Sequence, residues 1–437
     1  MGGYCGKRFH GLALMRIDST TILSACDLND LIMNSKERHQ LRYERRKAKR
    51  KQKELERAKY YTDFDNVFGY SKLIKGYLDT SKASKKRTAT SVWMSNLCVN
   101  ARREQLRLLN GTWKSRGFNS FTIMERGKIR DIKSVHISEK GIQNAFSNNC
   151  LIPILAPHLI YDNGASMKGK GTDFSIMRFV KHLRKQGRNG YVFFFDFKGY
   201  FSNINNELLL EKVNNKIVDE RMISIYELFV RAFGDKGLGL GSQISQISAV
   251  YYPNQIDHMI KDKLKITGFG RHMDDGYIIC DNLERLEKIV ELFYRECDKL
   301  EIIPNQKKCR IVKLTRQFRF LKRRFFITET GKVVVRPNRE MAKKERQRLK
   351  AYRKFYDMGL MKYEDIYLNF HSWLFRKPFF TCLDMIKYFN SLFPEYRPYR
   401  PLKRKTYQQR KLDYIARSAR KENNVKHQRY IRRTGNT

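Results

Sequence analysis

Short, strongly apolar runs alternate with polar turns through the middle of the chain, a pattern that indicates strands joined by hairpins. The run Tyr191–Phe197 is apolar enough to be an interior strand, and it carries Asp196 near its end. Residues 267–280 read apolar, then charged, then apolar, which predicts a hairpin whose turn holds Asp274 and Asp275. Adjacent carboxylates repel each other and are costly to bury unpaired, so a divalent cation is one solution. Taken singly, a solvated turn and a hydrogen-bonded core Asp remain alternatives.

Periodicities near 3.6 residues predict helices on either side of these strands. A Gly-rich stretch, 236–246, leads into a further helix that ends near residue 258, and glycines there would allow a close backbone approach. Strand pairs are predicted over residues 121–132 and 318–326. The other predicted helices cover residues 92–109, 138–156, 172–185, 206–216, 283–300, 338–358, 363–375 and 380–393.

The amino-acid composition indicates which class of partner the protein binds. The chain has 437 residues, 41% of them hydrophobic, so it can bury a large core and is not a disordered protein. Its 89 Lys and Arg against 44 Asp and Glu give a net charge of +45, which makes nucleic acid the leading partner and an anionic membrane surface the lesser one. Residues 36–59 are nearly all charged, which predicts a solvated helix, a flexible basic arm or a helix that contacts nucleic acid.

The eight cysteines are scattered, with no Cys-x-x-Cys pair, so a zinc site or a disulfide framework is not expected. No apolar run approaches the roughly 18 residues that would span a bilayer. We therefore expect a cytoplasmic protein that does not engage a membrane.

Three elements now stand in order along the chain: the strand with Asp196, the Gly-rich segment that leads to Ser245 and Gln246, and the hairpin with Asp274 and Asp275. In order and content they resemble the palm of a reverse transcriptase, an RNA-directed DNA polymerase. The resemblance covers roughly residues 65–390 and extends to further motifs, which are Lys128-x-Arg130, Leu155-x-Pro157, Asp162-Asn163, Lys168–Gly171, Asn305-x-x-Lys308 and Phe320-Leu321.

The departures from the family pattern concern the lineage. Ser245-Gln246, where Ser-Pro is commoner, and the segment Asn254–His258 resemble the enzymes of diversity-generating retroelements. The resemblance is thus closest to the bacterial and phage lineage of diversity-generating-retroelement or group II intron-like enzymes. His272 stands where the family usually has Tyr or Phe, and Lys322 stands where the primer grip often has Gly.

The resemblance implies an α+β right-hand polymerase, with an antiparallel palm sheet covered by helices and an all-α thumb. The implied division is a basic N-terminal extension over 1–64, fingers over 65–190, a palm over 191–336, a helical thumb over 337–394 and a basic C-terminal tail over 395–437.

The implied chemistry is nucleotidyl transfer with two Mg²⁺ ions, Mn²⁺ being the alternative, held about 4 Å apart. Lys308 is the expected general acid toward the leaving pyrophosphate, and Phe201 is expected to sit under the sugar and to select dNTPs. The expected metal ligands are Asp196, the backbone carbonyl of Phe197, Asp274 and Asp275. The expected dNTP contacts are Lys128, Arg130, Phe201 and Gln246, and the expected template and primer contacts are Gly241, Ser245, Phe320, Leu321 and Lys322.

The expected partners are an RNA template, taken to be a structured noncoding RNA, a DNA primer or product, dNTPs and an accessory protein. The template would be removed by another protein, since no RNase H, protease, endonuclease or integrase signature follows the thumb. The biological setting stays open between a diversity-generating retroelement and antiphage defence. A catalytically silent, maturase-like RNA-binding protein and an RNA-making or template-independent polymerase are the rival readings.

Overall fold

A computed structural model describes residues 34–82, 84, 87–125, 128–337, 339–375 and 383–399. The chain divides into two compact units, the first ending at Lys313 and the second beginning at Leu314. The predicted tail beyond residue 399 and the first 33 residues of the predicted N-terminal extension lie outside the described part. The five-part division into extension, fingers, palm, thumb and tail stays a prediction.

The first unit contains a four-stranded antiparallel sheet in the order β4-β5-β3-β6. Its strands are β3 (Tyr191–Phe195), β4 (Phe269–His272), β5 (Asp275–Cys280) and β6 (Arg310–Lys313). The interior strand and the acidic hairpin were both predicted and are confirmed. The return strand begins at Asp275 itself, so Met273 and Asp274 alone form the turn. The edge strand β6 was not predicted, because its short run has exposed ends and little periodicity.

A second, two-stranded sheet in this unit pairs β1 (Asn119–Glu125) with β2 (Lys128–Ser134), as the sequence predicted. The large core of the unit lies between the four-stranded sheet and its helices. Phe193 and Phe195 of β3 pack on Phe293 with ring centroids 5.7 Å and 4.7 Å apart. This aromatic packing explains why β3 carries an almost unbroken apolar run.

Helices form most of the rest of the first unit. They are α1 (Ser35–Thr62), α2 (Phe64–Phe68), α3 (Tyr70–Ser81), α4 (Thr88–Ser95), α5 (Leu97–Leu109), α6 (Ile137–Phe146), α7 (Ile152–Leu155), α8 (Thr172–Gln186), α9 (Tyr200–Asn203), α10 (Asn206–Asn214), α11 (Glu220–Arg231), α12 (Gln243–Tyr251), α13 (Asn254–His258) and α14 (Leu283–Lys299). A π turn over Ser147–Leu151 and a 3-10 turn over Ala156–His158 flank α7, and another π turn, Met259–Lys263, follows α13.

Several predicted helices were too long. The helix predicted over 138–156 changes to a π turn after Phe146, and the helix predicted to reach residue 258 is interrupted at Pro253. Proline lacks the N–H group that would continue an α-helix, which explains the interruption at Pro253. The helix predicted over 92–109 is two helices separated at Asn96, and α11 had not been predicted.

The second unit joins a three-stranded antiparallel sheet and three described helices. Phe370 and Phe389 stack with ring centroids 4.2 Å apart at the centre of the helical core, which confirms the helical period predicted after residue 338. The elements are β7 (Phe318–Phe320), β8 (Arg323–Ile327), β9 (Val333–Pro337), α15 (Arg339–Asp357), α16 (Tyr363–Phe375) and α17 (Leu383–Leu392). Helices and antiparallel sheets together confirm the α+β class. No helix among the described residues is long and apolar enough to cross a membrane.

Candidate active site

Strand register brings the acids of two distant segments together. Phe195, the last residue of β3, pairs with Gly276 of β5, so Asp196 lies beside Asp275. Asp196 is only 4% exposed. Burial, the charge of Asp274, and a hydrogen bond and charge from Asp196 together raise the pKa of Asp275 to about 7. Three carboxyl groups predicted from two separate motifs therefore share one small region.

The loop after residue 303 holds Asp196 from the other side. Phe197, whose side chain is buried, forms an isolated β-bridge with Pro304. Asn305 donates its backbone N–H to the Asp196 carbonyl at 2.7 Å and its Nδ2 to Asp196 Oδ1 at 3.1 Å. Lys308 Nζ donates to Asp196 Oδ2 at 2.5 Å. Partial burial opposes the lysine charge, but this hydrogen bond and the surrounding carboxylates raise the pKa of Lys308.

The chemistry of these side chains fits a hard divalent cation, since carboxylate and carbonyl oxygens are the ligands such ions prefer. Burial and repulsion among the acids raise the pKa of Asp275, and a bound cation would relieve that repulsion. Within the described residues, however, no group of three or more His, Cys, Asp or Glu side chains stands ready to hold a metal. Lys308 neutralises Asp196 in this arrangement, so metal binding requires that the ammonium group withdraw from Oδ2.

A buried arginine supports the turn between β4 and β5. Arg271, the last residue but one of β4, binds the Asp257 carboxylate through Nε at 2.8 Å and Nη2 at 2.5 Å, and both side chains are almost fully buried. It also donates Nη1 to the carbonyl of Met273 and Nη2 to that of Val250, both at 2.9 Å. Met273 has a φ of 60°, in the left-handed region. Arg271 therefore fixes the residue just before Asp274 and ties it to the end of α12.

The motif Asp162-Asn163, which had no assigned role, lies along the outer side of β4. Asp162 accepts hydrogen bonds from Arg178 Nε at 2.5 Å and Lys261 Nζ at 2.8 Å, and its own carbonyl accepts from the backbone N–H of Arg271 at 3.2 Å. His182 lies 3.6 Å from Asp162 and shares a 2.9 Å hydrogen bond with the Tyr277 hydroxyl. This polar network fixes the hairpin through contacts with Arg271 of β4 and Tyr277 of β5.

His272, which stands where the family usually has Tyr or Phe, also has a hydrogen-bond partner. Its Nδ1 lies 3.0 Å from Ser175 Oγ on α8, within hydrogen-bond distance. Burial lowers the pKa of His272, so the ring is neutral at pH 7. A histidine here therefore ties the hairpin to α8 rather than adding charge to the site.

The Gly-rich segment packs against the helix that carries Phe201. Leu238 donates its N–H to the Phe201 carbonyl at 2.7 Å, and Gly237 donates to the Ile204 carbonyl at 2.8 Å. A Cβ at Gly237 would lie 2.8 Å from the Ser202 carbonyl, and its φ is 86°, so only glycine fits this approach. Phe201 itself is half-buried and packs against the large core.

The loop that carries Gly241 lies beside strand β2. At Gly241, whose φ is 110°, a Cβ would lie 3.6 Å from Ile132 Cγ2, so β2 passes beside this loop. Lys128 and Arg130 belong to β2, and their side chains lie outside the described part. On α12, Ser245 is buried and Gln246 is exposed. The structure thus brings the Gly241 loop next to the backbone of β2.

The predicted primer-grip residues belong to the second unit. Phe320 ends β7 with its side chain buried, and Leu321 and Lys322 form the two-residue connection to β8. Their φ angles are 43° and 62°, a conformation that hairpins usually fill with Asn or Gly. Non-glycine residues held there cost of order 1 kcal/mol or more, and such strain is commonest at functional sites.

A second network of hydrogen-bonded polar side chains fixes the Gly-rich segment, and sequence reasoning missed it. Gln143 on α6 accepts from Ser242 Oγ at 3.1 Å and donates to Glu139 at 3.1 Å, and Ser115 donates to Glu139 at 2.8 Å. Ser242 also caps α12, since its side chain accepts from the backbone N–H of Ser245. Polar residues at apolar helix positions were the available signal, but their partners are about a hundred residues away. The Arg271 and Asp257 pair was missed because nothing in the sequence marks these two residues, 14 positions apart, as partners.

Comparison with known proteins agrees with this geometry. Residues 114–323, just under half of the chain, match the family described as "Reverse transcriptase (RNA-dependent DNA polymerase)". No curated protein matches the chain. Residues 114–323 are therefore similar to a reverse transcriptase domain, a class of nucleotidyltransferase, and the mixed helix and antiparallel-sheet content agrees with the predicted right-hand polymerase fold.

Two solved structures of telomerase from Candida tropicalis are also similar. The apo enzyme truncated from its C-terminal domain shares 15% identity over 50% of this chain and 54% of that chain, with a TM-score of 0.37. The apo enzyme shares 14% identity over 51% of this chain and 48% of that chain, with a TM-score of 0.38. The chain thus spans about half the length of these structures, and similarity at this level supports no statement on activity or partners.

Proposed function

We propose that this chain copies an RNA template into DNA from dNTPs by two-metal nucleotidyl transfer. The observation that carries the proposal is the convergence of Asp196, Asp274 and Asp275 at one end of the four-stranded sheet, inside the segment that matches the reverse transcriptase family. A protein that only binds RNA has no use for three acids that repel one another in the absence of a cation.

The divalent ions that domains of this family generally use would be Mg²⁺ here, or Mn²⁺ in its place. Asp196 and Asp274, with the Phe197 carbonyl and Asp275 in support, would hold them. When bound, such ions lower the pKa of a primer 3′-hydroxyl and offset the charge of a triphosphate. Lys308 holds the Asp196 carboxylate in the absence of metal. We assign it the protonation of the leaving pyrophosphate.

The nucleotide would lie between the Gly-rich segment and β2. Phe201 is fixed through its carbonyl by Leu238, which supports its assignment as the residue under the sugar. Lys128 and Arg130 are assigned to the triphosphate because β2 passes the Gly241 loop. Exposed Gln246 is assigned to the incoming nucleotide.

The template and primer are assigned to two sets of residues. Gly241 and Ser245 would approach the template, and the strained connection formed by Leu321 and Lys322, after Phe320, would hold the primer. An RNA template and a DNA primer or product are the partners that follow, with a structured noncoding RNA and an accessory protein as further proposals.

Incorporation of labelled dNTP and NTP on a primed RNA tests the proposal. We expect dNTP incorporation that depends on divalent metal, weak NTP use and no activity in Asp274→Asn. Equal use of NTP would contradict the role of Phe201, and activity retained in Asp274→Asn would contradict the metal assignment. Inactivity of the wild-type protein on every primed template, with RNA binding intact, would favour the maturase-like alternative.

The N-terminal helix α1 supports a dedicated RNA partner. It is dominated by Lys and Arg, and most of its residues before Glu54 are exposed. Its C-terminal part is anchored, since Lys216 Nζ donates to Glu54 at 2.7 Å and Thr62 accepts from the backbone of Val218 at 3.3 Å. Deletion of residues 36–59 should weaken RNA binding and flatten its salt dependence. An unchanged salt slope would refute this role.

We place the activity in a diversity-generating retroelement, because Ser245-Gln246 and Asn254–His258 resemble enzymes of that group. Antiphage defence with a dedicated noncoding RNA is the alternative. Inspection of the DNA beside the gene distinguishes them: a pair of template and variable repeats supports the first setting, and a noncoding RNA gene without repeats supports the second.

A further inference from the structure

Three arginines form a row across the sheet of the second unit. Arg319 of β7 pairs directly with Arg324 of β8, and Arg324 pairs on its other side with Arg336 of β9. Directly paired residues of neighbouring strands point to the same face of a sheet. With strands about 4.8 Å apart, the row is about 10 Å long.

The row lies on the less buried face of this sheet, which we call the open face. Residues that alternate with the row, among them Phe318 and Phe325, are buried on the other face, and their rings stack at 6.2 Å. Arg319 and Arg336 are exposed and Arg324 is half-buried. The Arg336 guanidinium lies 5.5 Å from the ring centre of Phe326, which belongs to the same face as the row. The face therefore combines a line of cations with an aromatic ring.

Like charges directly opposite each other destabilise a sheet. Burial, followed by repulsion from Arg339, Arg336 and Arg319, lowers the pKa of Arg324. Glu340 lies 3.8 Å from Arg319, but both side chains are largely exposed, so this pair is weak. A sheet that keeps these arginines together is expected to be more stable when an anionic ligand lies along them.

The geometry of the row identifies the class of ligand. A guanidinium group presents donors in a planar fork that matches phosphate. A nucleic-acid strand carries one charge per roughly 3.4 Å of axis, so a row about 10 Å long spans more than one phosphate. Phe326 beside the row offers a ring on which a base can stack. A linear row with an adjacent ring suits a polynucleotide strand better than a flat anionic membrane surface.

We propose that Arg319, Arg324 and Arg336 bind successive phosphates of one nucleic-acid strand along the open face of the sheet. The site depends on the register of β7, β8 and β9 and not on the catalytic assignment. It adds residues that lie outside the connection Leu321-Lys322 proposed for the primer. Its ligand is a phosphodiester backbone, without a requirement for base sequence.

The test compares full-length Arg324→Gln with wild type in binding a fluorescein-labelled RNA–DNA hybrid at a series of KCl concentrations. We expect the slope of log affinity against log salt to become shallower by about 0.9. The thermal midpoint without nucleic acid should stay close to that of wild type. Arg324→Lys should keep the wild-type slope, since it keeps the charge.

Arg397→Gln is the matched control, because it removes an exposed arginine of the same unit outside the row. Its slope should change less than that of Arg324→Gln. Arg336→Gln, at an exposed position, gives a second measurement that does not depend on the folding of the Arg324 variant. Binding is measured without divalent metal or dNTP, so failure of this site is distinguished from failure of the proposed catalysis.

A wild-type salt slope in both Arg324→Gln and Arg336→Gln would overturn the proposal, and so would an equal change in Arg397→Gln. A lowered thermal midpoint in Arg324→Gln would show that the row is structural. If Arg324→Gln and Arg336→Gln lose binding to phosphatidylserine vesicles but bind the hybrid as wild type does, the row would be assigned to a membrane surface instead.

Discussion

The buried pair Arg271 and Asp257 allows a quantitative prediction about the catalytic turn. Its side chains are 1% and 0% exposed. Burial opposes the charge of the guanidinium, but the charge and hydrogen bonds of Asp257 raise the pKa of Arg271 above its ordinary value. Asp257→Asn keeps the shape of the side chain and removes its charge, so it leaves a buried arginine without its counter-ion.

Breaking a buried ion pair by removing one partner costs about 3–5 kcal/mol, against about 5–15 kcal/mol for the stability of a folded domain. We expect Asp257→Asn to lose about that amount. The double variant Asp257→Leu with Arg271→Met removes both charges but leaves the carbonyls of Val250 and Met273 without their donors. Each buried acceptor left unpaired costs about 1–3 kcal/mol, so the double variant should remain destabilised.

Urea unfolding followed by tryptophan fluorescence measures this effect. Trp93 and Trp113 belong to the first unit and Trp373 to the second, so a Trp373→Phe background makes the signal report the first unit. Asp298→Asn, a change of the same chemistry at an exposed site on α14, should stay within about 0.5 kcal/mol of wild type. A loss below about 1 kcal/mol in Asp257→Asn would refute the role given to the pair.

Three further predictions concern the site. Added MgCl₂ should raise the thermal midpoint of wild type, because at a hundredfold excess over Kd it adds about 2.7 kcal/mol to the free energy of unfolding. It should not change the thermal midpoint of Asp196→Asn. A shift of equal size in that variant would place the ion elsewhere. Burial, with repulsion from Lys261 and Arg178, lowers the pKa of His182 to about 4, so the native ring stays neutral while the unfolded ring gains a proton as pH falls below 6.5. The free energy of unfolding of wild type should fall by about 3 kcal/mol at most between pH 6.5 and pH 4. It should fall less steeply in His182→Gln. Parallel pH profiles of the two proteins would contradict the buried, neutral state of His182. Phe201→Ala should raise NTP incorporation relative to dNTP in primer extension, and an unchanged ratio would remove Phe201 from sugar selection.

The sequence alone determined much of this protein. The apolar run before Asp196 predicted the central strand, and the apolar, charged, apolar pattern of residues 267–280 predicted the hairpin. Motif order then led to the reverse transcriptase resemblance, which the family match over residues 114–323 supports. Patterns of this kind are local, because alternation and helical period depend only on residues near one another in the chain.

Tertiary structure decided how those motifs are supported. The partners of Arg271 and Gln143 could not be read from the sequence, because the sequence shows no sign of pairing between residues that only the folded chain brings together. Proline and π turns set the helix ends within patterns that looked continuous. The arginine row likewise exists only through strand register, since a shift of one residue would turn Arg324 to the buried face.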